Sequence, residues 1–236
     1  MMANRVDELI SYVMTVDSGF APNPYFGLCT LACCKPKLRA GVGNRVMKAA
    51  GCDDVRRVPA DVVRDMHIWV VGLAGRALTR YAYRGVVYAM QVMQVMDFAT
   101  YFQKHPEKRP CQTGGVGPDD PCWHGDAIYT TNSPRTAVQL RSEHSYGDRE
   151  NPATKMHDLG GRYVLLSDHF VHFGQRAPLT GLEARLDEGV GFSISRDTGL
   201  LRAFEGLLDG EWSDELSVAG KVIRSEVVSG GGRCRG

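Results

Sequence analysis

The chain reads ISYVMTVDSGFAPNPYFGLCTLACCKPKLR over residues 10–39, and this stretch changes character after Val16. Up to Val16 the apolar side chains occupy every second position from Ile10, which is the periodicity of a β-strand. Residues 17–39 then contain turn-forming residues, aromatic residues, three cysteines and three basic residues. A segment that only connects two elements does not need this mixture. We therefore interpret residues 17–39 as a loop that forms part of a functional site.

Working outward from this stretch, the pattern predicts several strands and few, short helices. Further strands are indicated by β-branched and apolar runs at residues 68–73, 86–96 and 163–167. Short helices are indicated at residues 44–50, 97–105 and 200–208, the second of them capped by Asp97. Because strands and helices do not alternate regularly, we predict an α+β fold, with a curled mixed sheet or a small β-barrel and a few short helices.

Length and composition are those of an ordinary globular protein, with 236 residues, 43% hydrophobic and 23% charged. We predict a single domain over residues 1–228, with a long insert around residues 106–132 and a flexible tail at residues 229–236. No apolar run approaches the length of a membrane span. The number of cysteines is odd, at seven, and no signal peptide is visible, so we expect a cytoplasmic protein with reduced thiols.

The net charge of +1 is distributed unevenly along the chain. From Lys35 to Arg84 there are 11 Lys or Arg residues against four Asp, a local balance of +7. A basic region of this kind is compatible with a polyanionic partner that is bound through its phosphates. The alternative is that these charges are scattered over several faces of the protein.

Asp17 and Cys34 are the candidates for chemistry within the loop. Asp17 follows the first predicted strand, where a strand end presents a carboxylate to a cleft, and it could act as a general base or hold a substrate. Cys34 precedes Lys35, and a neighbouring ammonium group favours the nucleophilic thiolate. The alternative is that Asp17 caps a turn, the cysteines are small buried residues and the lysines are solvated.

Metal binding is a further possibility that the spacing does not favour. The candidate ligands are Cys33, Cys34, Cys111, Cys122 and His124. They contain no Cys-x-x-Cys pair, which structural zinc sites commonly use. We therefore predict no metal site.

The second half of the chain places acidic residues beside histidines or turn residues. These pairs are Gly125-Asp126, Glu143-His144, His157-Asp158 and Asp168-His169. Histidine is the natural proton shuttle near neutral pH. Neighbouring residues on a strand point to opposite faces, however, so Asp168 and His169 do not readily serve one site. The alternative for each pair is an exposed position on a loop.

The order of several motifs resembles a known family. The motifs are DSGFAPNP at residues 17–24, CTLACCKPKLR at 29–39, WVVGL at 69–73, VVYAMQV at 86–92, GDAIY at 125–129 and LSDHFVHFG at 166–174. Together they resemble the second class of nucleotide-modification-associated domains, bacterial and phage domains linked by genomic context to DNA base hypermodification. The strand order also resembles PUA-like folds, including the EVE readers of modified bases, in which a curled sheet holds one flipped base.

The resemblance implies a pocket for a nucleobase, with DNA or a nucleotide as the partner. For this pocket we predict the catalytic residues Asp17, Cys34, Lys35 and Asp168. The residues that we predict for base or phosphate binding are Phe20, Asn23, Lys35, Lys37, Arg39, Trp69 and Asp126. Asn23 would read the base, the basic residues would hold phosphate, and Asp126 and Asp168 would complete a polar wall. Trp69 would stack on a base, and its alternative role is core packing.

Three functions follow from this interpretation. The first is a protein of a DNA base-modification or phage-conflict system that modifies the held base or processes a modification, by transferase or glycosidic-bond chemistry. The second is a non-catalytic reader of modified bases, and the third is a structural or regulatory module of a larger complex. The sequence identifies no cofactor, co-substrate or oligomeric state.

Overall fold

The computed structural model describes residues 4–112, 117, 119–186 and 191–217, which form a mixed α+β fold. The strands are β1 (Glu8–Met14), β2 (Cys29–Leu31), β3 (Ile68–Ala74), β4 (Val86–Gln91), β5 (Gln94–Asp97), β6 (Tyr163–Ser167), β7 (Phe170–His172) and β8 (Ser193–Ser195). The helices are α1 (Pro36–Ala50), α2 (Ala60–Arg64), α3 (Phe98–Lys104), α4 (Pro152–Leu159), α5 (Thr198–Asp209) and α6 (Ser213–Ser217). The predicted fold class is confirmed as a mixed sheet with short helices, and over the described residues the strands do not close into a barrel.

The larger sheet has the strand order β7-β4-β3-β1-β8. β1 and β3 run parallel, with Glu8 opposite Ile68 and Met14 opposite Ala74, and the other neighbouring strands are antiparallel. Every residue of β3 is buried, because apolar clusters cover both faces of the sheet. The strand predicted at residues 68–73 is therefore confirmed. The strand predicted at residues 10–16 is also present, but it begins and ends two residues earlier, at Glu8–Met14.

The smaller sheet has the strand order β2-β6-β5, and its strands are antiparallel. The prediction of one strand over residues 86–96 is wrong, because this run contributes β4 to the larger sheet and β5 to the smaller one. The chain changes sheets at two residues: Val92 N–H donates to Ile68 O, and Met93 N–H donates to Leu166 O. Both strands lie in apolar surroundings, so the hydrophobic pattern does not reveal the break between them.

Helix α1 begins eight residues before the predicted helix at residues 44–50. Pro36 stands in its first turn, where a missing N–H costs nothing. Gly41 and Gly43 weaken the helical signal in the sequence. Gly43 allows α1 to lie close to the smaller sheet, since a Cβ atom there would lie 2.1 Å from the Tyr163 ring.

The remaining helical predictions are confirmed. Asp97 caps α3, with its carboxylate 2.7 Å from Thr100 N. The helix predicted at residues 200–208 is α5. Its apolar residues belong to the apolar cluster that covers one face of the larger sheet. Residues 59–65 form α2 and its ends.

Other expectations have mixed outcomes. Among the described residues, none of the helices is long and apolar enough to cross a membrane. Cys111 and Cys122 form a disulfide, with Cα atoms 5.3 Å apart, whereas the sequence suggested reduced thiols throughout. The predicted tail at residues 229–236 lies outside the described residues, as does part of the insert expected at residues 106–132.

Candidate active site

A cleft of about 480 Å³ opens between the segment that follows β1 and the segment that leads into α4. Its volume lies in the range of small-molecule sites in proteins. The first wall comes from the loop predicted to form the site, and the second comes from the later half of the chain. The lining residues are Val16, Ser18, Phe20, Ala21, Glu143, His144, Ser145, Tyr146, Asn151, Ala153, Thr154 and His157.

His144 and Asp158 form a hydrogen-bonded pair in the second wall. Nδ1 of His144 lies 2.6 Å from Oδ2 of Asp158, and the His144 side chain is 10% exposed while that of Asp158 is fully buried. Asp158 also accepts from the Tyr129 hydroxyl at 2.8 Å and from Cys34 N–H at 3.1 Å. A buried carboxylate with this many donors holds the imidazole in one orientation.

The charge of Asp158 is favoured despite its burial. Burial by itself raises the pKa of the Asp158 carboxyl, but the hydrogen bond and charge of His144, the charge of Arg39 and the Tyr129 hydroxyl outweigh it, so the pKa lies below its usual value. The pair is thus suited to accept and return a proton.

The other nitrogen of His144 lies in a defined environment. Nε2 is 3.6 Å from Sγ of Cys34, and the Phe20 ring packs against the imidazole with centroids 4.7 Å apart. Gln139 supports the same segment by donating to His144 O at 3.0 Å. Two residues predicted for the site, Phe20 and Cys34, therefore converge on His144.

Glu143 forms a second pair across the cleft. Its Oε2 accepts from Ser18 Oγ at 2.6 Å, and its Oε1 lies 2.9 Å from Nδ1 of His124. The Ser18 contact joins the two walls of the cleft. Glu143 therefore pairs with His124, whereas its sequence neighbour His144 pairs with Asp158.

Arg39, predicted to hold phosphate, lies inside the protein. Its guanidinium donates to the main-chain oxygens of Cys34 at 2.8 Å, Tyr163 at 2.6 Å and Asp158 at 2.7 Å. Burial lowers the pKa of Arg39, and the nearby charge of Asp158 opposes this effect. Arg39 therefore joins the Cys34 segment to α4 and β6, behind the cleft.

Asp17 also lies behind the cleft rather than in its lining. The Tyr81 hydroxyl donates to Oδ2 at 2.8 Å, and Nε2 of His172 is 3.3 Å from Oδ1. Burial by itself raises the pKa of Asp17. The charge and hydrogen bond of His172 and the hydrogen bond from Tyr81 lower the pKa by more, so it lies below its usual value. Asp17 is 3% exposed, which makes it part of a buried polar cluster at the strand ends.

Asn23 and Asp126 belong to a buried network around Lys108, a residue that the sequence reasoning missed. Nζ of Lys108 donates to Oδ1 of Asn23 at 2.7 Å, and Asp126 accepts from Thr30 at 2.7 Å and from Tyr101 at 2.5 Å. Burial lowers the pKa of Lys108 to about 8, and burial raises the pKa of Asp126. This network shapes the loop of residues 17–39 from within.

The remaining predicted residues are dispersed. Trp69 is fully buried in the larger sheet and packs edge-on against Phe204, so it occupies the core position that was the alternative for it. Lys35 is partly buried, with Nζ 5.0 Å from the centroid of the Tyr12 ring, and Lys37 is exposed on α1. Asp168 is exposed beside a separate depression of about 120 Å³.

The basic region does not form one continuous face of free charges. Arg39 and Arg84 are buried, Arg45 pairs with Glu8, and Arg56 pairs with Asp54. These four of the 11 basic residues are therefore not free to bind phosphate as an exposed patch.

One group near the cleft has the donor types of a metal site. Cys33, His144 and Asp158 each offer a ligand atom, and these atoms lie within 4.8 Å of one another. The Arg39 guanidinium interacts with Cys33 and Asp158, and its positive charge opposes a cation at the same place. Burial raises the pKa of Cys33 well above its usual value, which disfavours the thiolate that a metal requires.

The sequence had signalled the pairing residues without assigning them. Glu143-His144 and His157-Asp158 each place an acidic residue next to a histidine in the sequence. In the structure, His144 pairs with Asp158 instead, and Glu143 pairs with His124. This arrangement depends on how the loop of residues 143–146 folds against α4.

The fold and the cleft define an α+β domain with an oriented histidine in a ligand-sized site. Residues 6–222 match the family described as nucleotide modification associated domain 2, so the chain belongs to that family, as the motif order had indicated. The family connects the chain with nucleotide-modification systems. No curated protein and no solved structure matches the chain significantly, and the comparison with PUA-like folds stays a prediction.

Proposed function

We propose that the chain is an enzyme of a nucleotide-modification system that holds a nucleobase in the cleft and changes it or a group attached to it. The observation that carries this proposal is the His144–Asp158 pair at the cleft, with 2.6 Å between Nδ1 and Oδ2. A histidine oriented by a buried carboxylate is the usual device for moving a proton to or from a substrate. Membership in the nucleotide-modification family supports a nucleobase as the substrate.

In this proposal each wall of the cleft has a separate task. His144 exchanges a proton with the substrate, and Asp158 keeps the imidazole in the required tautomer. Tyr146, which is 58% exposed and lines the cleft, offers a ring on which a base stacks. The first wall is held in place by the buried network that contains Asn23, Asp126 and Lys108. The nucleophilic role predicted for Cys34 is not part of this proposal, because Cys34 is disulfide-bonded and carries no free thiol.

The experiment is mass spectrometry of nucleosides from DNA that carries a panel of modified bases, and of free nucleotides, before and after incubation with the chain. A deproteinised cell extract supplies any co-substrate. The wild type is compared with His144→Asn and with the control His105→Asn, whose side chain pairs with Glu107 outside the cleft lining. The expected result is a changed profile with the wild type and the control, and none with His144→Asn.

Two other outcomes would overturn the proposal. An unchanged profile together with selective binding of modified DNA would show a reader. An unchanged profile without binding, and without affinity for DNA that falls steeply as salt rises, would favour the structural module.

A further inference from the structure

Glu143 is a cleft residue that the proposed proton transfer does not use. Its side chain is 28% exposed and lies next to His144 in the cleft lining. Ser18 Oγ donates to Oε2, and Nδ1 of His124 contacts Oε1, so each oxygen is held by one group of the protein. The position of the carboxylate is therefore fixed before any ligand arrives.

The support behind Glu143 is itself buried. The His124 side chain is 2% exposed, and its ring stacks on Tyr25 with an angle of 20° between the planes. The main-chain oxygen of His124 accepts from Nδ2 of Asn23 at 2.8 Å. A carboxylate that is positioned from behind by a buried imidazole and kept at an open cleft is typical of a specificity group.

The chemistry of a carboxylate limits what it recognises. A carboxylate has about four acceptor sites, so after accepting one bond at each oxygen it retains the capacity for two more. Two parallel acceptors suit two adjacent N–H donors. Among the common bases, the guanine Watson–Crick edge presents a ring N–H next to an amino group. Adenine and cytosine place a ring acceptor beside the amino group, and thymine has one N–H between two carbonyl groups.

We propose that Glu143 selects a guanine-type base in the cleft by accepting its ring N–H and its amino group. This inference rests on the proposed function, because it needs a nucleobase in the cleft. Tyr146 supplies a stacking surface beside the carboxylate, and stacking alone is tolerant of sequence. The preference for guanine therefore depends on Glu143.

The test measures dissociation constants by calorimetry for two series of probes. The first is guanosine, inosine, adenosine and cytidine monophosphates, and the second is single-stranded thymidine pentamers whose central base is guanine, hypoxanthine, adenine or cytosine. The variants are Glu143→Gln and the control Asp148→Asn, which removes the same charge on a side chain that is 86% exposed and outside the cleft lining. Glu143→Asp keeps the charge, and thermal unfolding checks that each variant folds.

The expected result is that the wild type and Asp148→Asn prefer guanine, and that Glu143→Gln weakens guanine binding by about tenfold to a hundredfold while changing the other bases little. Hypoxanthine, which lacks the amino group, should lie between guanine and adenine. Equal binding of all bases by the wild type would overturn this inference and leave the proposed function standing. Binding of none of the probes would count against the proposed function as well.

Discussion

Nδ1 of His144 lies 2.6 Å from Oδ2 of Asp158, although 14 positions separate the two residues and each has a nearer neighbour of the opposite type in sequence. Glu143, next to His144, binds His124 and Ser18 instead. The His144 imidazole and the Glu143 carboxylate therefore lie next to each other at the cleft, and each is held by a buried residue, Asp158 and His124 respectively. This division of partners is the basis of the mechanism and of the specificity proposed above.

Asp158→Asn should slow the reaction of the wild-type chain by about 10²–10⁴-fold. The amide cannot stabilise a positive imidazole, and it can hold His144 in the wrong tautomer. The measurement is the rate of the conversion detected by nucleoside mass spectrometry, together with the affinity for the unreacted ligand. A fall in rate at nearly constant affinity supports the role, whereas equal losses in Asp158→Asn and the exposed control Asp148→Asn would refute it.

Lys108→Met should destabilise the fold by about 2–4 kcal/mol at neutral pH, because the main-chain oxygen of Leu28 and Oδ1 of Asn23 lose their hydrogen bonds from Lys108 and Asp126 loses the charge that balances it. Urea denaturation measures the free energy of unfolding. An effect below about 0.5 kcal/mol, the range of surface substitutions, would show that this network is dispensable.

The same variant has a distinct pH dependence. Burial lowers the folded-state pKa of Lys108 from 10.5 to about 8. Between these values the unfolded chain binds more protons than the folded chain, so this group makes the wild type more stable as pH rises. The difference in unfolding free energy between wild type and Lys108→Met should therefore grow from pH 8 to about pH 10. A difference that shrinks over this range would contradict the assignment.

Gly43→Ala and Gly41→Ala form a matched pair on α1. A Cβ atom at Gly43 would lie 2.1 Å from the Tyr163 ring, whereas a Cβ atom at Gly41 meets nothing within 4 Å. Gly43→Ala should cost about 1–3 kcal/mol through overpacking. Gly41→Ala should stabilise the fold by about 0.5–1 kcal/mol through helix propensity. Chemical denaturation of both variants checks the signs, and the same sign for both would show that α1 is not packed as described.

Arg39→Met should destabilise the fold by about 2–4 kcal/mol, because three main-chain carbonyl groups lose the hydrogen bond from the buried guanidinium. Lys37→Met removes the same charge from an exposed position two residues earlier and should change stability by less than about 0.5 kcal/mol. Thermal or urea unfolding separates the two. If Arg39→Met instead left stability intact and weakened DNA binding, the phosphate role expected from the sequence would be supported.

The predictions from sequence that hold are those with local causes. The alternation before Val16, the β-branched run at residues 68–73 and the cap at Asp97 each determine the backbone through neighbouring residues. The run at residues 86–96 was predicted as one strand because its apolar pattern is the same in both sheets. Only the hydrogen bonds of Val92 and Met93 show where the chain passes from one sheet to the other. The start of α1 was missed because its glycines lower propensity, which packing against Tyr163 overrides.

The sequence by itself determined the fold class, the family and the segment that forms the first wall of the cleft, because strand periodicity, turn chemistry and motif order are properties of neighbouring residues. Only the tertiary structure decided which polar residues line the cleft. It buried Asp17, Asn23, Arg39 and Asp126 behind the wall and brought the later half of the chain against it, with His144 paired to Asp158 and Glu143 to Ser18. Burial and pairing depend on contacts between segments far apart in the chain, and the order of residues along the chain does not specify those contacts.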